Sequence, residues 1–148
     1  MGGINFGRVV LGGLVAGVVI NVSESILNLV VVGTQMNEAM AKLQLPAMGS
    51  NAIAGFTIMG FAVGIVMIWL YAAIRPRYGA GPSTAACAGS AVYFFGYLYP
   101  GLAMLFMGLF PGRLIAITLV WGLVEVLVAA VAGAYFYKEE ALAKPARL

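Results

Sequence analysis

The sequence predicts an all-α membrane protein with four transmembrane helices in an up-down antiparallel bundle. Of its 148 residues, 63% are hydrophobic and only 9% are charged. The mean hydropathy of +1.02 lies far outside the range of soluble domains. Four apolar runs are each long enough to cross the roughly 30 Å hydrocarbon core of a bilayer. Short connections join these runs, so consecutive spans are expected to be neighbours.

The four runs cover about residues 9–32, 50–74, 82–110 and 114–137. Little of the chain remains outside them, so residues 1–148 are predicted to form a single four-helix transmembrane domain. Spans three and four are separated only by Pro111-Gly112-Arg113, which predicts almost no loop.

The first two connections have different compositions. Residues 33–46 carry apolar side chains at helical spacing, which predicts a short interfacial helix ended by Pro46, with a plain polar connector as the alternative. Residues 75–83 hold the prolines Pro76 and Pro82 and two glycines, which are expected to stop one helix and start the next.

Lysine and arginine residues indicate the orientation of the chain. Cytoplasmic segments of membrane proteins are enriched in these residues, so the more basic side is assigned to the cytoplasm, together with both termini. The net charge of +3 is spread over the span ends, which does not indicate nucleic-acid binding. Arg75 and Arg77 are candidates for contact with lipid headgroups as well as topology signals. One side carries Arg8, Arg75, Arg77, Lys138, Lys144 and Arg147, and the other carries Lys42 and Arg113.

Several residue types are missing from the chain. It has no histidine and no aspartate, and Cys87 is its single cysteine. These absences exclude histidine-ligated haem, His-type zinc sites, cysteine clusters and Ser-His-Asp catalysis within this chain. We therefore expect no enzymatic activity, no metal and no cofactor.

Glu24 and Glu125 are the only charged residues inside the four runs. A charged side chain at the bilayer centre costs about 2.5–3.5 kcal/mol on insertion scales, so such a residue normally faces the protein interior or a water cavity. Counting from the outer ends of their helices places both acids at similar depths. Two close carboxylates cannot both ionise cheaply in a low dielectric, so at least one is expected to be protonated at neutral pH.

Helical spacing assigns partners to the two acids. Asn21, Ser25 and Asn28 fall on the same face of span one as Glu24. Further members of the predicted polar centre lie on the same face of span four as Glu125. Two tyrosines near the middle of span three are included because a tyrosine hydroxyl at that depth needs an acceptor. The predicted intramembrane polar centre consists of Glu24, Glu125, Asn21, Ser25, Asn28, Tyr93, Tyr97, Thr118 and Trp121.

Small residues on the spans predict close helix packing. Pairs of glycines four residues apart let two backbones approach closely in a membrane. Pro100 removes one backbone hydrogen bond within span three and is expected to kink that helix. The glycines predicted to pack helices are Gly13, Gly17, Gly60, Gly64 and Gly122.

The segment from Trp69 to Gly79, with Gly81-Pro82 after it, resembles the corresponding turn of small, uncharacterised four-span bacterial membrane proteins. The resemblance implies the four-span arrangement and location in a bacterial cytoplasmic membrane. It implies no activity.

Three functions fit these patterns. The leading hypothesis is a non-enzymatic membrane protein that acts by helix association, as an accessory subunit of a larger membrane complex or as a homo-oligomer. The second is a small proton-coupled transporter or channel that uses Glu24 and Glu125. The third is binding of a lipid or quinone-like molecule in the aromatic region of span three. The expected partners are therefore the lipid bilayer and other membrane subunits or further copies of the chain.

Overall fold

The computed structural model describes residues 3–139, and this part of the chain is helical with no β-strand. Two of the long helices contain a π-helical turn, in which the backbone bonds run from residue i to residue i+5. The elements are α1 (Phe6–Ile26) continuing into a π-helical turn (Leu27–Val31), α2 (Gly33–Lys42), α3 (Ser50–Tyr78), α4 (Pro82–Tyr93), a π-helical turn (Phe94–Leu98), α5 (Tyr99–Phe106) and α6 (Gly112–Phe136).

Four helical segments in the described residues are long and apolar enough to cross a membrane. They are span one (Phe6–Val31), span two (Ser50–Tyr78), span three (Pro82–Phe106) and span four (Gly112–Phe136). These four spans indicate an integral membrane protein, as the composition predicts. Lys144 and Arg147, which contribute to the predicted orientation, lie outside the described residues.

The prediction that Pro76 helps to stop span two is wrong, because α3 continues to Tyr78. Pro76 removes one backbone donor, but the last turn is held by other groups: Gly79 N–H donates to Arg75 O at 2.9 Å, and the hydroxyl of Thr84 donates to Tyr78 O at 3.3 Å. The connection is therefore only residues 79–81. Its glycines provide the positive φ angles of 86° and 136° that this turn requires.

Span three ends earlier than predicted, at Phe106 instead of residue 110. Gly108 has a φ of 67°, Gly108 N–H donates to Leu105 O, and Leu109 N–H donates to Met104 O. This pair of bonds is the Schellman motif, which terminates a helix at a left-handed residue. The last connection consequently spans residues 107–111 and is longer than the sequence indicates.

The helix predicted between spans one and two is present as α2, but it ends at Lys42 and not at Pro46. Gln44 adopts a left-handed conformation with φ of 55°, and Leu45 N–H donates to Met40 O. The helix therefore ends in the same way as α5, four residues before the proline.

Glycines bring the backbones of α1 and α3 into direct contact. A Cβ built on Gly64 would lie 2.6 Å from the backbone nitrogen of Gly17, and one built on Gly13 would lie 2.5 Å from the Cα of Ile65. Gly60 receives the side chain of Asn21. The two predicted glycine pairs thus pack against each other within one chain.

The contact between α1 and α6 uses glycines that the sequence analysis does not single out. A Cβ on Gly12 would lie 2.5 Å from the carbonyl oxygen of Gly133, and Ile68 of α3 closes the same contact. Small and medium apolar residues fill the space between the four spans. The buried core includes Val9, Ala16, Ile20, Met67, Ile68, Ala85, Ala88, Val126, Ala129 and Ala130.

The two arginines of the second connection have different surroundings. Arg75 is partly buried, with its Nη1 3.8 Å from Oε1 of Glu139 and its guanidinium 5.5 Å from the centre of the Tyr137 ring. Arg77 is exposed. Of the two candidates for contact with lipid headgroups, Arg77 is therefore the more accessible.

Candidate functional site

Glu125 lies on α6 and is 4% exposed. Its Oε1 accepts a hydrogen bond of 2.8 Å from the hydroxyl of Tyr97 in span three. Its Oε2 is buried and has no hydrogen-bond partner among the described residues. The two oxygens of this carboxyl therefore differ in their hydrogen bonding.

A glycine and a change in helix type bring Tyr97 to Glu125. The Tyr97 ring packs on Gly122, where a Cβ would lie 2.5 Å from the ring carbon Cδ1. Tyr97 lies within the π-helical turn Phe94–Leu98. The N–H of Tyr99, the next residue after this turn, donates to Phe94 O. This π-helical turn ends two residues before Pro100, the position at which the sequence predicts a kink. Such turns occur often at functional sites.

Glu24 is partly buried and is held by its own helix. The side-chain amide of Asn28 donates to Glu24 Oε2 at 2.8 Å and to the backbone oxygen of Glu24 at 2.9 Å. These residues stand where α1 changes into its π-helical turn. The sequence predicts this partner of Glu24 correctly.

A hydrogen bond between spans one and four lies beside the two acids. Trp121 Nε1–H donates to Ser23 Oγ at 2.8 Å. Glu125 is one helical turn beyond Trp121 in span four, and Glu24 directly follows Ser23 in span one.

Ser23 is absent from the predicted centre because it lies outside the stripe formed by Glu24 and Asn28. A signal for it exists in the sequence. Gly12, Ala16 and Val19 precede Ser23 at helical spacing, and Gly12 contacts α6. A hydroxyl at the end of a row of small residues is well placed to meet the neighbouring helix.

Four predicted members of the centre bond elsewhere. Asn21 donates to Gly17 O at 2.9 Å and to Thr57 O at 3.2 Å, so it joins α1 to α3. Ser25 and Thr118 donate to carbonyls of their own helices, at 2.7 and 2.9 Å. Tyr93 donates to Leu119 O at 3.1 Å and stacks with Tyr97. None of these four side chains hydrogen-bonds to Glu24 or Glu125.

A groove of about 640 Å³ runs between α1 and α6 beside Glu125. Its outer walls are valines, of which Val120, Val124 and Val128 are 67%, 59% and 54% exposed. These exposed valines face the lipid if span four crosses a membrane. The groove is lined by Val19, Ser23, Ala116, Ile117, Val120, Trp121, Val124, Glu125 and Val128.

No cluster of three or more potential metal ligands occurs among residues 3–139. Cys87 is exposed and forms no disulfide. Comparisons with protein-family models, curated proteins and solved structures find no match. The chemistry of the site must therefore be argued from its own geometry.

Proposed function

We propose that this chain is a small proton-coupled transporter, with Glu125 as the proton-binding group and Glu24 as a second acid beside it. The unpaired Oε2 of Glu125 carries this proposal. An unsatisfied buried polar atom costs about 1–3 kcal/mol, so a carboxyl that only fastened two helices would be expected to have both oxygens paired. An intramembrane carboxyl with one oxygen outside any hydrogen bond is suited to bind and release a proton.

The same proposal includes an up-down antiparallel bundle in a bacterial cytoplasmic membrane, with both termini inside. The order of the contacts supports this arrangement, since Gly12 meets Gly133 whereas Ser23 meets Trp121. The charge asymmetry of the connections supports the orientation. In this arrangement both acids lie within the membrane, and the chain acts without enzymatic chemistry.

Replacing either acid by glutamine is expected to abolish pH-driven flux while the protein still folds, because glutamine keeps the shape but cannot exchange a proton. Flux is measured in proteoliposomes that contain a trapped pH dye, with the membrane potential clamped. Na⁺, K⁺ or choline is supplied on the side of the membrane opposite the excess of protons, as the cation that exchanges with them. We expect Glu125→Gln and Glu24→Gln to reduce the flux to that of protein-free liposomes.

Glu38→Gln is the matched control, because Glu38 is an exposed glutamate of α2 outside the spans. It should transport like the wild type. Wild-type flux equal to that of empty liposomes with every cation would contradict the transport proposal, as would unchanged flux in Glu125→Gln.

Helix association is the second candidate function, and span three supports it. Only 6% of the most apolar window of this span is buried, compared with 39% for span four. Large aromatic side chains on it are exposed, including Phe95 at 73%, Tyr99 at 67% and Phe106 at 82%. A second copy or another membrane subunit would cover this face.

Cysteine cross-linking tests self-association through span three. In a Cys87→Ser background, Phe95→Cys is expected to form a covalent dimer on mild oxidation in native membranes. Val66→Cys is the control, because Val66 is an exposed residue of span two. Equal cross-linking at both positions, or none at Phe95→Cys together with a monomeric mass from native membranes, would contradict the homo-oligomer.

A further inference from the structure

Spans two and three are packed at one end of the bundle and loose at the other. In span two every residue from 50 to 59 is exposed, and the buried residues begin only at Gly60. In span three the last buried residue is Gly89, and none follows it as far as Phe106. The packed halves meet at the connection of residues 79–81. The loose halves lie at the opposite end, which is the outer end in the proposed orientation.

Spans one and four stay together in the outer half. Leu27 of span one, Ala39 of α2 and Leu114 of span four belong to one buried cluster, so α2 covers these two spans. The outer part of span three, α5, packs against span four, whereas α3 packs against α4, the inner part of span three. The outer halves of spans two and three therefore border an opening that α2 does not cover.

Polar side chains of span one lie where the packed half changes into the loose half. Asn21 packs on Gly60 and donates to the backbone oxygen of Thr57 at 3.2 Å. Glu24 follows Gly17 by two turns and so shares the face of α1 that contacts α3. At that level α3 has no buried residue. The carboxyl is therefore on a side of span one that the rest of the described chain covers only in part.

Three oxygen atoms of this face have acceptor capacity to spare. The side-chain N–H groups of Asn21 and Asn28 are donated to backbone oxygens and to Glu24 Oε2. Among residues 3–139, none of these bonds ends on Asn21 Oδ1, Asn28 Oδ1 or Glu24 Oε1, and all three residues are only partly buried. An acceptor without a donor costs free energy, and lipid tails supply no donors. Water supplies them, and intramembrane acids commonly face a water-filled cavity.

We propose that the outer halves of spans two and three border a water-filled vestibule that ends at Glu24. Glu24 is then the acid in contact with water, and Glu125, which is 4% exposed, is the enclosed one. The backbone contact of Gly64 with Gly13 and Gly17 closes the bundle below the vestibule.

The vestibule gives the proposed proton site a side of entry, and this role rests on the proposed function. A hydronium ion in the vestibule transfers one proton to the carboxylate of Glu24 and remains as water. The net charge of the acid pair then rises by one. The presence of water does not depend on transport and is testable separately.

Cysteine accessibility tests the vestibule, in the full chain with Cys87→Ser as background. Thr57→Cys lies on the face of Gly60 toward α1, and Ile58→Cys is its neighbour at the same depth, turned by about 100°. Both positions are exposed in the chain. The probe is a membrane-impermeant methanethiosulfonate that carries a trimethylammonium group, added to either side of sealed vesicles. Because the thiolate is the reacting form and apolar surroundings suppress it, Thr57→Cys should react at least about tenfold faster than Ile58→Cys.

Gln44→Cys marks the outer side, since Gln44 is exposed in the connection between α2 and α3. Thr57→Cys should react from the same side as Gln44→Cys. Ile53→Cys, one turn nearer the outer end on the face of Thr57, repeats the test if Thr57→Cys does not fold. Equal rates at Thr57→Cys and Ile58→Cys, or reaction only from the side opposite Gln44→Cys, would overturn the proposal.

A partner subunit on this face would give a different result. Thr57→Cys would then be protected from the probe and would form a covalent dimer on oxidation in native membranes, which would also overturn the vestibule. Labelling of Thr57→Cys, together with wild-type flux equal to that of empty liposomes, would leave the vestibule standing and remove transport. Glu125-dependent flux without labelling at Thr57→Cys or Ile53→Cys would do the reverse.

Discussion

Replacing Gly64 with leucine is expected to destabilise the protein strongly, because it forces two packed helices apart. The missing side chain of Gly64 admits the backbone of Gly13 and Gly17, and a Cβ there would lie 2.6 Å from Gly17 N. A backbone cannot rotate away as a flexible side chain can, so α1 and α3 must separate. Overpacking of a core typically costs about 1–3 kcal/mol, and we expect a loss of about 3 kcal/mol or more here.

The same substitution at Gly55 provides the control, because Gly55 lies in the same helix with nothing within 4 Å of its Cβ position. Leucine favours a helix over glycine by up to about 1 kcal/mol, so Gly55→Leu should be neutral or stabilising. The free energy of unfolding is measured by titration with a denaturing detergent. Equal stabilities of the two variants would show that α1 and α3 do not pack as described.

The four spans could be predicted from the sequence because their signal is long and simple. About 20 consecutive apolar residues are needed to cross a bilayer, and few other folds produce such runs. The ends of the spans were harder to predict, because they depend on single backbone conformations. Gly108 ends α5 through a positive φ, whereas α3 continues past Pro76 to Tyr78, where Gly79 N–H closes the last turn on Arg75 O.

Some residues of the predicted polar centre hydrogen-bond to the two acids, and others bond to carbonyls of their own helices. Spacing shows that Ser25 and Thr118 share a face with the acids, but serine and threonine in helices can donate to a carbonyl of the preceding turn. Such a bond satisfies the hydroxyl without any neighbour. The contact of Tyr97 with Glu125 was predictable because a tyrosine at that depth needs an acceptor and few are available.

The groove could not be predicted from the sequence. Its existence depends on the relative placement of α1 and α6, which is set by the backbone contact between Gly12 and Gly133. From the sequence alone, Val120, Val124 and Val128 could equally be lipid-facing residues that border no groove. Only the structure shows that these valines line one groove together with Glu125.

Replacing Gly122 with valine is expected to separate Tyr97 from Glu125. The Tyr97 ring occupies the space that the new side chain needs, with Cδ1 2.5 Å from the Cβ position. The ring must move, which removes the hydrogen bond to Oε1 and leaves both oxygens of a buried carboxyl unpaired. Overpacking of a core typically costs about 1–3 kcal/mol, so we expect the free energy of unfolding to fall by about that amount. The lost hydrogen bond lowers it further. Gly96→Val is the control, because nothing lies within 4 Å of the Cβ position of Gly96.

Tyr97→Phe separates the hydrogen bond from the packing in this prediction. Phenylalanine keeps the ring on Gly122 and removes only the hydroxyl, so its cost should match a single intramembrane hydrogen bond, about 0.6 kcal/mol on average and at most about 1.7 kcal/mol. Infrared difference spectra of the carboxyl stretch, assigned by their absence in Glu125→Gln, should change alike in Tyr97→Phe and Gly122→Val. The stability loss should be larger in Gly122→Val. A carboxyl band that is unchanged in Tyr97→Phe would mean that Tyr97 does not bond Glu125, and the asymmetry between the two oxygens would no longer support proton exchange at this site.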